Sequence, residues 1–118
     1  MDDALELRLQ VFTDAENIDP SVVPVVRDEL NRLALPADRR TDEVLGIFTS
    51  HLVNALNRAV RGEPLTVFEA QDVVDAAIAE RPDAYDHARE LARRAEQALG
   101  VDLPDTEVRL LGLHLATI

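Results

Sequence analysis

Between Pro36 and Pro64 lies the longest proline-free stretch of the chain, and within it Thr41 to Gly62 has the signals of one uninterrupted helix. Thr41 can cap the first turn. Asp42 and Glu43 follow it, where the helix dipole favours negative charge. At about 100° per residue, Val44, Phe48, Leu52, Ala55 and Ala59 share one face, and Gly62 supplies a stop.

The rest of the chain repeats this alternation of aliphatic stripes and breakers. Asp19 and Pro20 form a start signal, with Asp as N-cap and Pro in the first helical position, and Val22, Val26, Leu30 and Leu33 line one face after them. Pro24 lacks an amide donor, so that helix must begin near it or bend there. Residues 35–40 form a short polar connection. Thr66-Val67-Phe68-Glu69 reads as a capping box opening a helix that runs to about Arg81. Pro82 opens a further helix with a stripe of Tyr85, Ala88, Ala92, Ala95 and Leu99, ended by Gly100. Asp102 and Pro104 open the last, in which Leu111, Leu115 and Ile118 form the main stripe and Leu113 lies opposite. Its apolar residues cover most of its circumference, which predicts burial on several sides or a subunit interface, and Gly112 permits close backbone approach. Residues 2–14 are ambiguous, because Leu5, Leu7, Leu9 and Val11 alternate as in a strand while Leu5, Leu9 and Phe12 follow helical spacing. Helix is the favoured reading.

These segments predict an all-α, compact helical bundle with short turns. At 118 residues the chain fits one domain, with a core that is stable without disulfide or metal. Three phenylalanines and one tyrosine are its only aromatics, so the core is expected to be aliphatic. There is no cysteine, hence no thiol nucleophile or thiolate metal site, which is compatible with a cytoplasmic location. The acidic amino terminus lacks the basic flank and apolar run of a secretory signal. No segment approaches the roughly 20 apolar residues of a membrane span. A formal charge of −11 repels phosphate backbones and anionic lipid, so direct nucleic-acid and membrane binding are not expected, whereas a basic protein partner would be attracted.

Enzyme motifs are missing: there is no glycine-rich phosphate loop, HExxH or GxSxG, and neither catalytic residues nor a cofactor are expected. Two histidines stand apart from this bulk pattern. His51 lies roughly 60° from the centre of its helix's apolar face, and His114 is offset by a similar angle on the last helix. Each imidazole is placed at a core margin, where one nitrogen can bond to protein while the other faces solvent. A metal site formed by these two and a carboxylate lacks a short His-x-x-x-His spacing, and none is expected. His87 reads as a surface histidine beside Asp83, one turn earlier.

Packing is one role for His51 and His114; phosphoryl acceptance is another. A neutral imidazole nitrogen attacks phosphorus directly, and nearby cations or amides must then hold the added charge. Asn54, one turn after His51, and Arg58, two turns after it and only about 20° away around the helix, are candidates for that role. Arg58 has the alternative of pairing with an acid on a neighbouring helix. Arg109 points about 140° away from His114, so a cation serving that ring must come from another helix.

Two stretches resemble the phosphotransferase-system regulation domain, or PRD, family. SHLVNALNRAVRGEPL at residues 50–65 is similar to the family's first histidine helix and the glycine turn after it. ERPDAYDHARELARRAEQALGVDLPDTEVRLLGLHLATI at residues 80–118 is similar to its proline-tyrosine turn, alanine-rich helix, LP-x-x-E turn and terminal histidine helix. The resemblance covers about residues 17–118 and leaves residues 1–16 as an extension or short helix. It implies a five-helix bundle that dimerises. It also implies that His51 and His114 occupy acceptor positions, phosphorylated by the phosphocarrier HPr or by enzyme IIB components of the sugar phosphotransferase system. The expected output is transcription regulation, through a change in dimer packing or in binding to a separate partner. Ser50 stands where family members often carry an acid, and the chain reads as a single, stand-alone PRD.

Overall fold

The computed structural model describes residues 1–68 and 70–118. It comprises α1 (Asp3–Asp14), α2 (Val22–Arg32), α3 (Asp42–Val60), α4 (Gln71–Glu80), α5 (Pro82–Leu99) and α6 (Asp105–Ala116), with a single 3-10 turn at Ala37–Arg39. No strand occurs among the described residues. A Cα radius of gyration of 13.6 Å matches the roughly 13.5 Å of a compact domain of this length. Among the described residues six α-helices stand where the resemblance implied five, and α1 is the one outside residues 17–118. Leu5 and Leu9 are fully buried while Leu7 and Val11 are exposed. A strand would have put all four on one side, so the i, i+4 spacing prevails and α1 joins the common core.

Capping decides where the helices start. Thr41 Oγ accepts the Val44 amide at 3.3 Å, as its sequence position predicts. Asp2 Oδ1 accepts two amides, that of Leu5 at 2.9 Å and that of Asp42 at 3.1 Å, and so caps α1 while tying it to the first turn of α3. Asp19 does not act as a direct N-cap. Its carboxylate takes the Ser21 amide and hydroxyl at 2.9 and 2.6 Å, and α2 begins at Val22. Pro24 then falls in the first turn, where the missing amide has no intrahelical partner to lose. The capping box expected at Thr66 does not open α4, which starts at Gln71 after Ala70; Glu69 itself lies outside the described residues. The segment before α4 is instead held by α6: the Leu65 amide bonds to Glu107, and the Thr66 carbonyl accepts the Thr106 hydroxyl at 3.1 Å. Pro82 opens α5 as predicted, and Gly100 ends it at φ +65, in the left-handed region that favours glycine.

α6 packs against α3, α4 and α5, which accounts for its apolar circumference. At Gly112 an added Cβ would lie 3.3 Å from the Cα of Tyr85, so the α5 and α6 backbones approach closely there. Two buried carboxylates fasten the aliphatic core. Glu29 on α2 receives Arg94 of α5 at 2.6 and 2.9 Å, and Glu107 on α6 receives Arg58 of α3. Asn57, also buried, clips the loop before α2 by donating to the Asn17 carbonyl at 2.8 Å and accepting the Asp19 amide at 2.9 Å.

Candidate functional site: a stacked histidine pair

His51 sits midway along α3 and His114 in the last turn of α6, and the packing of these helices brings the two rings face to face. Their centroids are 3.9 Å apart and their planes 18° from parallel. Seven residues beyond His51 is Arg58; seven residues before His114 is Glu107. Arg58 meets Glu107 through Nε at 3.1 Å and Nη2 at 2.9 Å. α3 and α6 are therefore antiparallel, joined by two rungs two helical turns apart, or about 10.5 Å. One rung is the ring stack and the other an ion pair.

The two rings differ in exposure. His51 is exposed and His114 half-buried. Partial desolvation of the ring, reinforced by the positive charge of Arg58, lowers the His51 pKa from its ordinary value. Burial, reinforced by the charge His51 would carry, pushes His114 down to about 4. Near neutral pH both rings are uncharged, which suits stacking and is the nucleophilic form of imidazole.

Around the pair, Asn54 is exposed one turn along α3. Arg58 takes the alternative left open by the sequence. Its guanidinium is engaged by Glu107, a carboxylate only 1% exposed that also accepts the Leu65 amide at 3.3 Å. Ser50, next to His51, accepts Arg8 Nη1 at 2.8 Å, while the same guanidinium pairs with Asp42 at 2.6 and 3.0 Å. That pairing holds the Asp42 carboxyl below its usual range. The link from α1 through Arg8 to Ser50 has no local signature in sequence. Arg8 lies 34 residues from Asp42, and nothing nearby marks them as partners.

The remaining candidates lie elsewhere. Arg109 is turned to Asp105 at 2.6 Å and Asp75 at 2.9 Å, bracing α6 against α4 and away from His114. His87 is not paired with Asp83, which is held by Arg81 through two bonds of 3.0 Å. Instead it is half-buried at a cavity of about 240 Å³ that Leu33, Leu35, Leu115 and Ile118 help to line. Among the described residues no three His, Cys, Asp or Glu side chains converge as a metal site. No described helix is long and apolar enough to cross a membrane.

An all-helical domain with a paired imidazole site between a long inner helix and its last helix defines the class. The family model of the PRD domain matches residues 27–118, from within α2 through α6 and including both histidines. The chain belongs to the PRD family, whose members are regulatory rather than catalytic domains. No curated protein and no solved structure matches the chain.

Proposed function

We propose that this protein is a PRD-type regulatory module whose histidine pair, His51 and His114, is the site that accepts phosphate from the sugar phosphotransferase system. Phosphorylation then controls self-association or the binding of an output partner in transcription regulation. The observation that carries this reading is the pair of neutral imidazoles at the solvent edge of the α3–α6 contact, within a PRD-family domain. A phosphoryl group adds close to two negative charges at that contact, enough to bias a balanced packing or association equilibrium. The donors are HPr or enzyme IIB proteins, and the compartment is the cytoplasm, where these carriers work. In this reading residues 17–118 form the regulatory domain, with α1 as an extension latched onto it. Incubation with phosphoenolpyruvate, enzyme I and HPr, with and without enzyme IIB proteins, followed by intact-protein mass spectrometry, tests it. Acid-labile phosphate on the folded chain is expected. Its absence, with carriers shown active on a control protein, would reject the reading.

A second reading is a protein-protein interaction module that uses the fold without phosphorylation. Exposed Leu7, Val11, Ile47, Val67 and Val73 favour it. Here Ile47→Glu, at a residue 70% exposed on α3, should dissociate a self-assembly without unfolding the chain, and an unchanged mass by light scattering counts against it.

A further inference from the structure

The two histidines of the proposed reading occupy one place on the molecule. We infer that His51 and His114 form a single acceptor site that carries one phosphoryl group at a time, on His51. This rests on the phosphoacceptor reading and extends it by fixing the stoichiometry and the residue.

Contact between the rings sets the limit. With centroids 3.9 Å apart, two phosphorylated rings would hold two groups of nearly two charges each within a Debye length, so solvent ions screen them poorly. Arg58, the cation whose charge reaches His51, is already matched by buried Glu107 through two hydrogen bonds. If Arg58 turned toward a phosphate, Glu107 would keep only the Leu65 amide inside the protein. The local field therefore offers little compensation for one phosphate and none for a second.

Exposure selects the ring. His51 is open to an approaching carrier, whereas His114 is half-buried beneath it. A ring nitrogen attacks with a lone pair that lies in the ring plane. The edge of His51 can therefore reach an external phosphohistidine while its face stays stacked on His114. In that step the nitrogen–phosphorus bond of the carrier breaks as a new one forms to His51. The carrier ring takes up a proton at its other nitrogen and leaves neutral; the His51 ring can release one from its own other nitrogen. Rings 18° from parallel direct their lone pairs alongside one another rather than toward each other, so the stack offers no direct route for passing phosphate from His51 to His114.

Full-length protein, His51→Gln and His114→Gln are each driven with excess phosphorylated HPr, or with whichever enzyme IIB is the active donor, and read by intact mass. Far-UV circular dichroism confirms that each is folded. The wild type should reach one phosphate and no more, His51→Gln should stay unmodified, and His114→Gln should still accept one. Two phosphates on the folded wild type, or phosphate on folded His51→Gln, would overturn the inference while leaving the phosphoacceptor reading intact. No phosphate on the wild type from any active donor would overturn both. Because the stoichiometry is read on the wild type and His51 is exposed, the test survives any instability of His114→Gln.

Discussion

Replacing Arg58 with alanine removes the cation from a carboxylate that the fold has almost wholly withdrawn from water. Glu107 is 1% exposed and receives two hydrogen bonds from Arg58 and one from Leu65. Breaking a buried pair from one side costs about 3–5 kcal/mol, because the remaining charge is left uncompensated. The Arg58 side chain is itself 32% exposed, which places the expected loss at the low end, about 3 kcal/mol. A chain of 118 residues unfolds with an entropy of about 0.25 kcal/mol per degree, so the midpoint should fall by about 12 °C. Urea unfolding followed by far-UV circular dichroism gives the free energy, and a thermal scan gives the midpoint. The decisive control is Arg58→Ala with Glu107→Gln. Removing the orphaned charge should recover part of the loss, so the double variant should be more stable than Arg58→Ala alone. A single-variant loss below about 1 kcal/mol, the range of a surface pair, would refute the argument. So would a double variant less stable than the single one.

Other outcomes follow from the same contacts. The His114 ring should titrate near its depressed value of about 4, and His51 below the ordinary histidine value, in an imidazole nitrogen NMR titration. The His114 pKa is lowered in the folded state, so the unfolded chain binds the proton first as pH falls. The stability His114 contributes is therefore complete above about pH 6.5 and lost progressively towards about pH 4. A flat stability profile across that window would contradict this. Asn57→Ala should cost about 1–3 kcal/mol by removing both bonds to the loop before α2, and hydrogen exchange at the Asp19 amide should accelerate; unchanged protection there would show that the clip is dispensable.

Much of the architecture could be read from spacing alone. The stripe from Val22 to Leu33 is buried, and so is the α3 stripe apart from half-buried Val44, because one helical face must meet the core wherever helices pack. Thr41, Pro82 and Gly100 act at the termini they mark, since caps and breakers are local chemistry. The start of α4 could not be read this way. A capping signature at Thr66 is overridden by bonds to Glu107 and Thr106, which are distant in sequence. His51 and His114 stood out as candidates, but their contact depends on which helices meet, and periodicity is silent on that. One signal was present: His51 and Arg58 are separated by seven residues, as are Glu107 and His114. An antiparallel register that matches one pair necessarily matches the other. Glu29 offered a similar clue, as an acid interrupting an apolar stripe beside Leu30, its partner Arg94 lying 65 residues away.

The near-contact of Gly112 with the Tyr85 backbone also sets how little room the end of α6 has. A Cβ at position 112 would meet the Tyr85 Cα at 3.3 Å, so any larger residue there must part α5 from α6 by a few tenths of an ångström, two residues from the ring of His114.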